Sequence, residues 1–83
     1  MPELQPGKRY VAHPGDASSA VRDIAYDPGT RVLEIEFPTG DRYAYSGVPP
    51  EVFLDMLQAE SLGTYVNTRI KRYPYRQREP RKM

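Results

Sequence analysis

Residues 31–45, RVLEIEFPTGDRYAY, decide how the rest of the chain is read. Leu33, Ile35 and Phe37 alternate with Val32, Glu34 and Glu36, the period-two pattern of a strand with one dry face and one wet face. Tyr43 and Tyr45 alternate again beyond Pro38-Thr39-Gly40-Asp41, so the segment reads as a hairpin whose register decides which face the tyrosines join. A two-residue Thr39-Gly40 turn would leave Pro38 in a paired position with no N–H to give, and would swing both tyrosines onto the Glu34/Glu36 face. A three-residue loop, Pro38-Thr39-Gly40, gives proline the first turn position at its preferred φ and glycine the left-handed bulge position. The second arrangement is the better chemistry. It sets Tyr43 opposite Ile35, Tyr45 opposite Leu33, and Glu36 opposite Arg42 on the outer surface. Tyr43 and Tyr45 are then mainly structural, packing residues.

Upstream, Ile24 and Tyr26 alternate with Asp23 and Ala25, which predicts a strand over residues 21–26. Asp27-Pro28-Gly29-Thr30 places proline and glycine at the central positions of a type II turn, bringing Tyr26 opposite Arg31 and Ile24 opposite Leu33. Both turns therefore put Ile24, Tyr26, Leu33, Ile35, Tyr43 and Tyr45 on one face of a three-stranded meander.

That face needs a lid. Pro49 and Pro50 can open a helix where missing N–H groups cost little, with Glu51 and Asp55 near the positive end of its dipole. Val52, Phe53, Met56 and Leu57 form its apolar stripe. A second helical piece follows Ser61, with Leu62, Tyr65, Val66 and Ile70 inward and Gly63 near its start. Tyr73-Pro74-Tyr75 ends it, because the residue before proline avoids the helical region. The expected fold is α+β: a three-stranded antiparallel β-meander packed on one face by two C-terminal helices, in the order β-β-β-α-α. Residues 1–17 read as a flexible segment in which only Tyr10-Val11-Ala12 suits a short strand. Residues 18–75 form the domain, and residues 76–83 form a basic tail.

The chain has 83 residues, 39% of them hydrophobic and 28% charged, with nine prolines, so one small domain with a modest core is expected. With no cysteine and a single histidine, His13, disulfides, thiolate zinc sites, cysteine nucleophiles and histidine-clustered metals are excluded. No apolar run approaches the ~20 residues that span a bilayer, and the N-terminus has no secretion-signal core, so a soluble cytoplasmic protein is expected. The net charge of +1 conceals an asymmetry: residues 1–68 carry −5, and residues 69–83 carry +6. A basic end on an acidic body points toward a polyanion.

The ordered series Ser18-Ser19, Ile24, Tyr26-Asp27-Pro28, Leu33-x-Ile35-x-Phe37, Gly40, Tyr43-x-Tyr45, Val48-Pro49, Ala59-x-Ser61-x-Gly63, Tyr65-x-Asn67, Ile70-Lys71 and Tyr73-Pro74 resembles the KTSC domain. That family is a small module found alone in bacterial proteins and at the C-terminus of some lysyl-tRNA synthetases. The resemblance implies an association with tRNA and hence RNA binding, which is an analogy and supplies no mechanism. Ala25 stands where glycine often precedes the Tyr-Asp pair, and Thr64 where lysine often precedes the next tyrosine, which removes one phosphate contact.

Nucleic-acid binding is assigned to Arg69, Lys71, Arg72, Tyr73, Tyr75 and Arg76: the cations hold phosphates and the tyrosines offer faces to unstacked bases. The bland alternative is that Tyr73-Pro74-Tyr75 covers the sheet edge and the charges only solvate the chain end. Asn67 suits a surface amide more readily than a ligand contact. No catalytic residue, cofactor or metal is assigned. His13 lies in a Gly/Pro segment, Ser18 and Ser19 suit caps or turns, and Glu34 and Glu36 face Arg42 as solvated carboxylates. RNA, tRNA-like or single-stranded, is the expected partner of a monomer or weak dimer. The alternative is a protein adaptor docking at an open sheet edge.

Overall fold

The computed structural model describes residues 4, 5, 7–14 and 20–78. The expectations for Ser18, Ser19 and residues 79–83 lie outside them. Five strands, β1 (Tyr10–Ala12), β2 (Asp23–Asp27), β3 (Val32–Glu36), β4 (Arg42–Tyr45) and β5 (Tyr75–Arg78), form one antiparallel sheet in the order β1-β2-β3-β4-β5. Between β4 and β5 come α1 (Pro50–Leu57) and α2 (Leu62–Tyr65), the latter continuing as a π-helical turn over Val66–Ile70. The fold is α+β with two helices, and the expected three strands are corrected to five. β1 extends the meander at one edge. β5 returns from the helices to pair with β4 at the other, so residues 76–78 belong to the sheet rather than to a tail.

The β3–β4 register is as the loop chemistry requires: Tyr43 faces Ile35, Tyr45 faces Leu33 and Glu36 faces Arg42. Gly40 takes φ +92°, the left-handed position that a side chain disfavours. The β2–β3 register differs from expectation. Tyr26 faces Leu33 and Ile24 faces Ile35, a shift of two residues from the type II turn. Gly29 is not the left-handed residue; Arg31 is, at φ 58°. Asp27 Oδ1 accepts from the Gly29 N–H at 2.8 Å, and the Arg31 N–H reaches back to the Asp27 carbonyl at 2.7 Å, so the loop is longer. An even shift keeps every side chain on its expected face.

Val21, Ile24, Tyr26, Leu33, Ile35 and Tyr45 therefore meet Val48, Phe53, Met56, Val66 and Ile70 in one core, each at most 3% exposed. α1 opens at Pro50 behind Pro49, with Glu51 in its first turn. Asp55 lies near the other end of this eight-residue helix, too far along to meet the N-terminal dipole as expected. α2 is capped by Ser61, whose Oγ accepts from the Thr64 N–H at 3.3 Å. On the outer sheet face, Arg42 reaches diagonally to Glu34 (3.3 Å) rather than straight across to Glu36, which pairs with Arg22 (3.7 Å). Arg9 also binds Glu34 at 2.8 Å, so Glu34 is held between two guanidinium groups. Among the described residues no helix is long and apolar enough to cross a membrane.

Candidate nucleic-acid interface

The helical lid covers Ile24, Tyr26, Leu33 and Ile35 but stops short of the corner where β4, β5 and the β3–β4 turn meet. There Phe37, Tyr43, Tyr45 and Tyr75 line an open groove of about 580 Å³, with Lys71 and Asp41 also on its wall. The groove exists because β5 pairs Tyr75 with Tyr45, placing both rings on the inner side of the sheet. Tyr43 meets Phe37 and Tyr75 edge to face, with centroids 5.6 Å away in both cases. Tyr75 lies 5.7 Å from Tyr45. Tyr75 is nonetheless 63% exposed. Tyr45 is buried, and burial, reinforced by the neighbouring Tyr43 and Tyr75 phenols, raises its pKa above the ordinary value, so it stays a neutral hydroxyl.

Lys71 is placed by the π turn. Its N–H donates to the Val66 carbonyl at 2.9 Å, five residues back, and the wider turn ends with its ammonium 6.0 Å from the Phe37 ring centroid. Arg69 and Arg72 are exposed on either side of it in sequence, as is Asn67. Tyr73 is half-buried against the core, its N–H donating to the Ile70 carbonyl at 3.0 Å. The Pro74 carbonyl accepts from the Ser46 N–H at 2.8 Å, which begins the β4–β5 ladder. Arg76 lies opposite Ala44, and Arg78 opposite Arg42, on the outer face.

The six residues assigned from sequence therefore separate. Lys71 and Tyr75 line the groove, Arg69 and Arg72 are exposed near Lys71 in sequence but are not on the groove wall, Tyr73 packs inward, and Arg76 points to the other side of the sheet. Sequence reasoning missed Phe37, Asp41 and the groove side of Tyr43. The available signal was a surplus: Phe37, Tyr43 and Tyr75 add rings to an inner face whose core is already filled by Tyr26, Tyr45 and Phe53. His13 lies just past β1 and hydrogen-bonds through Nδ1 to Asp23 Oδ1 at 2.7 Å, on the outer face and away from the groove.

A five-stranded meander with one helical layer and an aromatic corner defines the class: a small α+β module with an open groove. A family model described as the KTSC domain matches residues 17–75, and the chain belongs to that family. The crystal structure of a KTSC domain protein from Yersinia pestis superposes with a TM-score of 0.78 at 30% identity, covering 87% of this chain and 100% of that one. An uncharacterized protein from Stutzerimonas stutzeri is 46% identical over 59 residues, 71% of this chain and 83% of its own. A lysine–tRNA ligase from Nostoc punctiforme is 40% identical over 53 residues, 64% of this chain but 9% of the ligase.

Proposed function

We propose that this domain is a non-catalytic RNA-binding module that seats an unstacked base against Tyr75 and Tyr43 while Lys71, Arg69 and Arg72 hold the adjoining phosphates. The observation that carries this reading is the exposed ring of Tyr75 in a groove that also presents the Lys71 ammonium. Base stacking on an aromatic side chain stabilises binding by about 1–3 kcal/mol per base and tolerates any sequence, and phosphate contacts add a salt-dependent term. The occurrence of a similar domain within a lysine–tRNA ligase is consistent with work on tRNA or on single-stranded segments. The test is an NMR titration with tRNA and short single strands at low salt. Shifts are expected at Phe37, Tyr43, Tyr75 and residues 69–72. Affinity falls steeply between about 50 and about 200 mM salt, and the double substitution Lys71→Glu with Arg72→Glu abolishes it. No shift at low salt rejects the proposal.

One observation favours a second reading. β5 is an edge strand with all four residues exposed, able to accept an extended segment of a partner protein. Such docking would survive both added salt and the charge reversals, and so separates from RNA binding in the same experiment.

A further inference from the structure

The groove wall carries one acidic side chain, Asp41. Asp41 follows the left-handed Gly40, its carbonyl accepts from the Phe37 N–H at 2.9 Å, and its Oδ2 accepts from the Thr39 hydroxyl at 3.0 Å, so the carboxylate is held in the turn. Like Asp27, Glu51, Asp55 and Glu60 it makes no ion pair among the described residues, but of these it alone lines the groove. A carboxylate accepts hydrogen bonds and donates none, so it repels phosphate and favours a base edge that presents N–H groups. Guanine alone among the four bases offers two adjacent donors, N1–H and the 2-amino group, matching the two carboxylate oxygens. Uracil offers one N–H between two carbonyls, which a carboxylate repels. Adenine and cytosine each place their amino group beside an acceptor nitrogen.

We propose that the groove is a guanine-selective subsite: the base stacks on Tyr75 beside Tyr43, Asp41 accepts from its N1–H and 2-amino group, and Lys71 takes the phosphate. The assignment rests on the RNA reading above and gives it a base preference.

The experiment compares heptamers of r(UUUGUUU), r(UUUIUUU) and r(UUUUUUU) by fluorescence anisotropy, with 5′-GMP and 5′-UMP titrated separately by NMR. The guanine heptamer is expected to bind about tenfold tighter than the all-uridine strand, a ratio typical of one bidentate base contact. Inosine, which lacks the 2-amino group, falls between them. Asp41→Asn keeps an acceptor for Thr39 and brings the guanine-to-uridine ratio to about one. Equal affinities in the unsubstituted protein, or a preference that survives Asp41→Asn, overturn the subsite and leave RNA binding standing. If no heptamer binds but 5′-GMP shifts Tyr43 and Tyr75 more than 5′-UMP does, RNA binding falls and the subsite stands. If neither heptamer nor 5′-GMP binds, both fall.

Discussion

The ring of Tyr26 stacks on that of Phe53 with centroids 4.7 Å apart and planes inclined by 18°, and this pair joins the centre of the sheet to α1. Both residues are at most 2% exposed, and the Tyr26 hydroxyl donates to the Val48 carbonyl where the chain leaves the sheet. Phe53→Ala removes a ring from a filled core and is expected to cost about 3–5 kcal/mol, a large part of what a small domain holds. Tyr26→Phe keeps the stack but strands a buried carbonyl, for about 1–3 kcal/mol. Urea unfolding followed by circular dichroism measures both. A Tyr26→Phe midpoint equal to that of the unsubstituted protein would show that the hydroxyl contributes nothing.

Burial pushes the phenols of Tyr26, Tyr45 and Tyr65 above the ordinary tyrosine value of 10.0, with Arg31 partly opposing the rise at Tyr26. The unfolded chain releases these protons first, so above pH 10 the folded state binds more protons than the unfolded one and stability falls as pH rises. The stabilisation is complete below the unfolded value and is lost as pH climbs through the folded values. Urea midpoints are expected to hold steady to about pH 9 and then drop, with Tyr26→Phe showing a shallower drop. An equally steep decline in that variant would assign the alkaline loss to other groups.

Gly63 lies in α2, where alanine is worth about 1 kcal/mol more than glycine by helix propensity. Packing opposes that gain: a Cβ at Gly63 would stand 2.8 Å from the Cβ of Ala20, a side chain with no rotamer to turn away. Overpacking of this kind costs about 1–3 kcal/mol, so Gly63→Ala is expected to destabilise on balance. Ala20→Gly in the same chain should restore the helical gain, and a double-mutant cycle in urea reads the coupling directly. Additive effects would show that the Ala20 segment simply moves aside.

How far local chemistry reveals this fold depends on where the chain stores its constraints. In the β3–β4 hairpin, Pro38 decides between the two registers, Gly40 fits the left-handed position of the one it selects, and that register is observed. At Asp27-Pro28-Gly29-Thr30 the same residue types mislead, because the Asp27 carboxylate binds the Gly29 N–H and passes the left-handed position on to Arg31. β5 is illegible for another reason. Tyr75, Arg76, Gln77 and Arg78 are all exposed, so no dry face imposes a pattern, and only the β4 ladder makes them a strand. The groove shares that fate. Its basic and aromatic residues can be named from sequence, but which of them meet depends on a pairing that spans the whole helical segment.

Arg31 supplies a stability test of that account. A side chain in the left-handed region costs about 1–2 kcal/mol, against a loss of about 0.5–1 kcal/mol in chain entropy for glycine. Arg31→Gly is therefore expected to stabilise by up to about 1 kcal/mol, while Gly40→Ala, at φ +92°, destabilises by a similar amount. The backbone bond from the Val48 N–H to the Arg31 carbonyl (3.0 Å) is retained in the first variant. Thermal unfolding of the two variants should move in opposite directions, and a lower midpoint for Arg31→Gly would mean that its side chain stabilises the fold in some further way.

Tyr75 and Arg76 are neighbours in sequence on opposite sides of the sheet, which separates the groove from a simple basic strip. If a cationic chain end held RNA without regard to face, Arg76→Ala would weaken binding at least as much as loss of a neutral ring. If the groove holds it, Tyr75→Ala loses the stacking surface and about tenfold in affinity, at the lower end of what one stacked base contributes. Arg76→Ala, facing away beside Ala44, changes affinity less than twofold at about 150 mM salt, where a distant charge is largely screened. Tyr75→Ala also loses the ring contacts with Tyr43 and Tyr45, so its urea midpoint is measured beside its affinity, and Tyr75→Leu, which keeps an apolar side chain without the aromatic face, separates stacking from the fold. Fluorescence anisotropy with a labelled single strand decides between the two outcomes, and a larger loss for Arg76→Ala than for Tyr75→Ala would place the contact on the outer face.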